Sequence, residues 1–227
     1  MSSAESKAAP SATGFTALII GAGFAGIGMA AALRRAGIED FAILERASSV
    51  GGVWRDNSYP GAACDVPSHL YSFSFAPNPQ WSRTFAGQQE ILDYLQGCAR
   101  DLDLLRHVRL NAEVAEARYC ERQSLWQVRL VDGTRLSARL LISATGQLSR
   151  PAWPKLAGLE RFQGQVFHSA QWDHSCDLTG KRVAVIGTGA SAIQFVPAIA
   201  DRVASLAVFQ RSPAYLLPRP DRPYPAW

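Results

Sequence analysis

Two glycine-rich turns, and the charged residues that follow them, hold the recognisable chemistry of this chain. The first, Gly21-Ala22-Gly23-Phe24-Ala25-Gly26, follows the apolar run Ala17-Leu18-Ile19-Ile20. The second, Gly187-Thr188-Gly189-Ala190-Ser191-Ala192, follows Val183-Ala184-Val185-Ile186. Glu45 stands as far beyond Gly21 as Arg211 stands beyond Gly187. A strand, a tight glycine turn and a helix whose N-terminus faces a pyrophosphate form a dinucleotide-binding unit. At the end of the next strand a carboxylate accepts hydrogen bonds from a ribose diol. A guanidinium there suits a 2′-phosphate instead, and Ser212 could add a hydroxyl donor. Ala192 closes the second turn, where only a small side chain is needed for helix–strand packing. The two patterns predict two different dinucleotides on one chain, one of them NADPH-like, and so a two-cofactor oxidoreductase.

The elements that must carry these turns can be read from the pattern of apolar residues. A strand is expected over 15–20, a helix over 25–36 that ends at Gly37, and a second strand over 41–44. From 48 to 80 the pattern dissolves into Gly, Pro, Ser and aromatic residues, and a loop region this long inside a compact domain is usually functional. Helical spacing returns over 88–102 through Ile91, Leu92, Leu95 and Leu102. Residues 108–110, 126–131 and 135–143 read as strands, with Asp132-Gly133 as a hairpin turn. The run from Leu140 to Gly146 reads as a buried strand ending in a tight turn. In the second unit a strand runs to Ile186, a helix from about Ser191 to Ala200, and a strand over 203–210. The expected class is α/β, with two Rossmann-like dinucleotide-binding domains in three layers. Residues 1–13 read as a disordered tail, 14–150 as the first domain, 151–180 as a connection and 181–227 as the start of the second domain. That second domain is expected to be incomplete, because one of this kind takes roughly 100–150 residues.

Composition narrows the classes. The 227 residues are 48% hydrophobic and 19% charged, an ordinary globular mixture. The formal charge of +4 is scattered, which argues against a nucleic-acid surface and suits anionic cofactors. Residues 15–33 carry no charge, but glycines at turn spacing break that run into a strand and a helix, so no membrane span is expected. There is also no basic n-region and no A-x-A site followed by a mature start, and a soluble cytoplasmic protein is the expectation. Cys64, Cys98, Cys120 and Cys176 form no C-x-x-C pair and no metal-ligand spacing, so reduced thiols and no metal are expected.

Between the two glycine turns lies Phe162-x-Gly164-x-x-x-His168-x-x-x-Trp172-Asp173. Flanked by two dinucleotide fingerprints, it resembles the signature of type I Baeyer–Villiger monooxygenases, F-x-G-x-x-x-H-x-x-x-W-[P/D], at every fixed position. Flavin-containing monooxygenases that oxygenate nitrogen or sulfur have a similar segment, typically with Tyr in place of the Trp. The resemblance extends over nearly all of 16–213. It takes in Gly51-Gly52-Val53-Trp54, Tyr59-Pro60-Gly61-Ala62-Ala63-Cys64-Asp65, Ala144-Thr145-Gly146-Gln147-Leu148-Ser149 and Phe209-Gln210-Arg211-Ser212-Pro213.

The resemblance implies FAD on the first unit and NADPH on the second. FAD would be held by Gly21, Gly23, Phe24, Ala25 and Gly26, with Glu45 on the adenosine ribose and Arg46 beside it. Gly52, Val53, Trp54 and Tyr71 would line the flavin, Val114 would lie near the adenine, and Ala144, Thr145, Gly146 and Gln147 would form the strand end beside the flavin. NADPH would take Gly187, Thr188, Gly189, Ala190 and Ser191, with Arg211 and Ser212 on its phosphate. Asp65 would lie beside the isoalloxazine and nicotinamide rings, and a carboxylate buried there would need a cationic or hydrogen-bonding partner. In the family that partner is an arginine from a later part of the chain, with no matching position in 1–227. His168 would link cofactor binding to domain movement rather than carry a proton.

The implied reaction joins O₂ to a ketone through a flavin C4a-peroxide and yields an ester or lactone. N- or S-oxygenation of an amine or sulfide is the nearest enzymatic alternative. A disulfide reductase would need a second cysteine beside Cys64. A non-catalytic dinucleotide-binding fragment, completed by a companion chain or a C-terminal half, is the reading from a different class.

Overall fold

The computed structural model describes residues 13–225. Of the expected tail, residues 1–12 therefore lie outside the described residues, whereas Thr13 already belongs to the first strand. In chain order the elements are β1 (Thr13–Ile20), α1 (Phe24–Arg35), β2 (Phe41–Leu44), the one-turn α2 (Val53–Asp56) and α3 (Gln88–Asp101). There follow β3 (Val108–Arg109), β4 (Val114–Cys120), β5 (Leu125–Leu130), β6 (Arg135–Ser143), β7 (Arg182–Ile186), α4 (Ala190–Ala200) and β8 (Ser205–Phe209). No helix among the described residues is long and apolar enough to cross a membrane.

The chain divides into two compact units, whose described residues are 13–50 with 99–145, and 51–98 with 146–225. This division cuts across the expected 14–150 span, because the loop region after Gly51 belongs by its contacts to the second unit.

The first unit is built on a six-stranded sheet in the order β3-β2-β1-β6-β5-β4. β3, β2, β1 and β6 run parallel, β5 pairs antiparallel with β6, and β4 antiparallel with β5. β2 is buried at all four positions, as expected of a central parallel strand covered on both faces. Leu18, Ala42, Leu44, Val128, Leu130, Leu136 and Ala138 form one core cluster. The alternate residues Ala17, Ile19, Phe41 and Ile43 are buried on the other face, and α1 contributes Ile27, Ala30 and Ala31, also buried. The far end of α1 closes as a Schellman turn, with the Gly37 N–H on the Arg34 carbonyl and the Ile38 N–H on the Leu33 carbonyl. Asp132-Gly133 turns the β5–β6 hairpin, with the Asp132 carboxylate accepting the Thr134 N–H at 2.9 Å.

Two features differ from the sequence reading. β4 was not expected; it is largely exposed, carries Glu116 and Arg118, and owes its strand form to pairing with β5. The C-terminal part of β6 is not buried as expected: Leu140 is 50% exposed and Leu141 and Ile142 are half-buried.

In the second unit β7 and β8 pair in parallel, from Arg182↔Ser205 to Ile186↔Phe209. One face packs on α4 through Val183, Val185, Leu206, Ala192, Phe195 and Ile199. Trp172, Cys176 and Leu178 join that cluster, so part of the expected 151–180 connection is built into the unit's core. Residues 222–224 pair by backbone hydrogen bonds with 82–84, and Arg83 bridges Asp221 at 2.7 Å.

Candidate functional site: two glycine cradles and the loops beside them

In the first unit the strand ends converge on the first glycine turn. The Gly21 N–H bonds to the Leu44 carbonyl at 2.8 Å, and the Ala144 N–H to the Ile20 carbonyl at 2.9 Å. Gly21 has φ +103°, and a Cβ there would come within 2.5 Å of the Ala144 carbonyl oxygen. A Cβ on Gly26 would overlap the Gly21 carbonyl oxygen. Both glycines are thus required by the protein's own close packing of turn, helix and β6. Gly23 is the N-cap of α1, no side chain caps the helix, and its first turn holds no acidic residue. That end of the helix presents main-chain N–H groups and positive dipole potential to a ligand of negative charge.

Glu45 follows β2 directly and is 4% exposed. One carboxylate oxygen accepts the Ala22 N–H at 2.9 Å and the other the Ala47 N–H at 2.9 Å. The residue expected to face a ribose therefore also ties the glycine turn to the end of β2. Ala22, fully buried, was not singled out from sequence; its place between the two glycines was the available signal. Arg46 is exposed, Val114 is half-buried at the start of β4, and Thr145 is exposed just past β6.

In the second unit the loop region carries the remaining flavin-side candidates. Gly52 (φ +55°) is the N-cap of α2, which holds Val53 and Trp54. The Trp54 indole N–H donates to the Tyr71 hydroxyl at 3.0 Å, and the rings meet edge to face at 5.6 Å. Burial pushes the Tyr71 hydroxyl above the ordinary tyrosine range, against the lowering effect of the Trp54 hydrogen bond. Gly146 and Gln147 are exposed, and so is Asp65. The burial cost expected for the Asp65 carboxylate does not arise in this chain.

The second glycine turn repeats the closure of the first, with the Gly187 N–H on the Phe209 carbonyl at 2.8 Å. Gly187 has φ +106°, and Gly189 caps α4 with no side-chain hydrogen bond. A Cβ at Gly189 would meet nothing within 4 Å. Protein packing does not explain this glycine, and the empty space at the helix N-terminus fits a ligand's pyrophosphate. Thr188, Ala190 and Ser191 continue from the turn into the helix, and the Thr188 hydroxyl reaches the Ser212 carbonyl at 3.5 Å.

The equal sequence spacing of Glu45 and Arg211 conceals an offset of one residue. Gly21 closes on Leu44, immediately before Glu45, whereas Gly187 closes on Phe209, and Gln210 intervenes before Arg211. In strand register Arg211 thus corresponds to Arg46. Arg211 is exposed, and among the described residues it makes no ion pair.

The segment with His168 packs beside this cradle. Trp172 meets Phe195 of α4 at 5.2 Å and Phe167 at 5.1 Å. The His168 Nδ1 accepts the Ala170 N–H at 3.1 Å, which leaves the neutral ring's proton on Nε2, and Trp153 meets the ring at 5.9 Å.

Sequence reasoning missed Gln194 on α4. Its amide donates to the Ala63 carbonyl at 2.9 Å, and its oxygen accepts from the Tyr59 hydroxyl at 3.1 Å and the Ala63 N–H at 3.3 Å. A long amide within the otherwise apolar run from Ala192 to Ala200 was the only signal. None of the four cysteines is in a disulfide. Burial raises the Cys64 thiol above its ordinary range, the opposite of the lowered pKa that thiol–disulfide chemistry needs.

A family model described as pyridine nucleotide-disulphide oxidoreductase matches residues 18–217. A Baeyer–Villiger monooxygenase of Streptomyces coelicolor is 58% identical over 204 residues, covering 90% of this chain and 39% of the relative. Among solved structures, an oxidised steroid monooxygenase bound to NADP superposes with a TM-score of 0.87 at 44% identity, covering 94% of this chain and 42% of that one. The OTEMO complex with FAD and NADP superposes with a TM-score of 0.86 at 39% identity, covering 92% and 41%. The chain thus spans about two fifths of the length of the relatives it matches. It belongs to the pyridine nucleotide-disulphide oxidoreductase family, and within it the chain is similar to the N-terminal portion of Baeyer–Villiger monooxygenases.

Proposed function

We propose that this chain is the FAD- and NADPH-binding portion of a monooxygenase that inserts one atom of O₂ beside a ketone carbonyl, giving an ester or lactone. The observation that carries the reading is the complete segment from Phe162 to Asp173, packed through Trp172 onto the helix that opens at the second glycine turn. Similarity to Baeyer–Villiger relatives supports the same conclusion.

In the first unit the N–H groups of Gly23, Phe24, Ala25 and Gly26 would hold the FAD pyrophosphate, with Gly21 giving the turn its close approach. Glu45 would take the ribose diol with lone pairs beyond those used by Ala22 and Ala47, and Arg46, Val114, Ala144 and Thr145 would border the nucleotide. In the second unit Gly52, Val53, Trp54, Tyr71, Gly146 and Gln147 would border the flavin, and the Trp54–Tyr71 pair would exclude water. Gly187, Thr188, Gly189, Ala190 and Ser191 would hold the NADPH pyrophosphate, and Arg211 and Ser212 its 2′-phosphate. Asp65 would orient the nicotinamide, and His168 would hold the segment between the cradles. When bound, FAD reduced by NADPH supplies the electrons that activate O₂; the protein contributes binding, orientation and exclusion of water.

Four cysteines outside any disulfide, two of them buried, fit a cytoplasmic, reducing setting. Completion by a C-terminal half or a companion chain belongs to the same proposal. The test is the visible spectrum of the purified chain, supplied with that completing part, after loading with FAD, then with NADPH, followed by product analysis with a ketone, a sulfide and an amine. Bound flavin that bleaches with NADPH, with oxygenation of the ketone, supports the proposal. A colourless protein, or oxidation of sulfide and amine alone, overturns it.

A further inference from the structure

We infer that Gln194 is a positioning residue: its side-chain amide clamps both backbone groups of Ala63 and ties the 59–65 loop, with Asp65, to the helix that opens at the second glycine turn. The loop is held on one edge by backbone pairing. The Cys64 N–H bonds to the Ala86 carbonyl at 2.9 Å, and the Gln88 N–H to the Ala62 carbonyl at 2.9 Å. Extended backbone alternates its hydrogen-bonding direction, so the N–H and C=O of Ala63 face the opposite edge, where no strand of the described residues pairs with them. Gln194 supplies what a neighbouring strand would: Nε2 donates to the Ala63 carbonyl at 2.9 Å, and Oε1 accepts its N–H at 3.3 Å.

The clamp is reinforced by packing. A Cβ on Gly61 would lie 2.8 Å from the Gln194 carbonyl oxygen and 3.2 Å from the Ala198 Cβ, so the loop backbone rests directly on α4. Tyr59 donates to Gln194 Oε1 at 3.1 Å and meets Phe195 edge to face at 6.0 Å. The same helix presents Gly189 and the uncapped N-terminus at its other end. A displacement of α4 on taking a dinucleotide would therefore be passed to the backbone two residues before Asp65. This last consequence rests on the proposed NADPH site; the clamp itself does not.

The test is hydrogen exchange and amide NMR on the full chain. In the unaltered protein the Gln194 side-chain protons exchange slowly and show nuclear Overhauser contacts to Ala63; rapid averaging with solvent overturns the clamp. In Gln194→Met, of similar length without donor or acceptor, residues 59–66 exchange on the order of tenfold faster while the interior of α4 keeps its protection. Unchanged loop exchange, or equal loosening of loop and helix, overturns a positioning role. Adding NADP⁺ alters exchange at 59–66 in the parent, and the response disappears in Gln194→Met although calorimetry still records NADP⁺ uptake. A response kept in the variant counts against transmission through Gln194. Absence of NADP⁺ uptake by the parent counts instead against the NADPH site, with the clamp decided by the first two measurements.

Discussion

Replacing Glu45 with Ala should weaken the fold before any cofactor is considered. The carboxylate accepts N–H groups from Ala22, in the buried glycine turn, and from Ala47, both at 2.9 Å. Removing it leaves the Ala22 N–H in a fully buried residue without that acceptor, at a cost of about 1–3 kcal/mol. The half-buried Ala47 can recover water in part, so its share is about 0.5–1.5 kcal/mol. Together these suggest a loss of roughly 2–4 kcal/mol. For a chain of this size 1 kcal/mol moves the melting temperature by about 2–4 °C, so Glu45→Ala should melt roughly 5–15 °C lower. Glu45→Gln keeps one acceptor and should lose about half as much. The assay is thermal melting of the cofactor-free chain by circular dichroism, followed by FAD titration of the more stable Gln variant. A melting temperature within 1–2 °C of the parent (about 1 kcal/mol or less) would refute the assignment of Glu45 as the tie between turn and strand.

Gly21→Ala should cost roughly 2–4 kcal/mol by melting, since φ is +103° and the new Cβ meets the Ala144 carbonyl oxygen at 2.5 Å. Gly189→Ala should lower the melting temperature by only about 1–4 °C, the small cost of Ala at an N-cap, because its Cβ meets nothing within 4 Å and φ is −73°, yet it should weaken NADP⁺ in calorimetry. Arg211→Ala should weaken NADPH by about 10- to 100-fold and NADH by less than about threefold; equal losses would sink the phosphate assignment. Asp221 is raised by burial but lowered further by the Arg83 hydrogen bond and the Phe85 N–H, so its net pKa lies below 3.8. The sign for such a carboxylate is that its stabilisation is complete above the ordinary value and fades as pH falls through the lowered one. Protection of 82–85 against hydrogen exchange, normalised for intrinsic rates, should therefore hold at neutral pH and fall below pH 3.8.

Much of the fold was legible because its signals are local. β2 and β6 have the bounds that their apolar runs predict, and α1 and α4 begin within a residue or so of the positions implied by the glycine turns. β4 escaped because a strand exposed on both faces has no apolar alternation; Glu116 and Arg118 look like loop residues until β5 pairs with them. The burial of β6 was overestimated at Leu140 because an apolar run does not say whether anything covers it. At the site, residue type and spacing singled out both turns, with Glu45 and Arg211 as candidates. Spacing alone could not show that Glu45 and Arg211 leave their strands one residue out of register. Gln194 lay beyond sequence logic altogether, since its partner Ala63 is 131 positions away and is met only once α4 has packed.

In the proposed function one cradle takes a flavin dinucleotide and the other selects a phosphorylated nicotinamide dinucleotide. Calorimetric titration of the FAD-loaded chain with NADP⁺ and, separately, NAD⁺ tests it most directly. The prediction is one equivalent of NADP⁺ taken up at least about tenfold more tightly than NAD⁺, with the flavin retained. Equal affinity for the two, or release of FAD by NADP⁺, would contradict it.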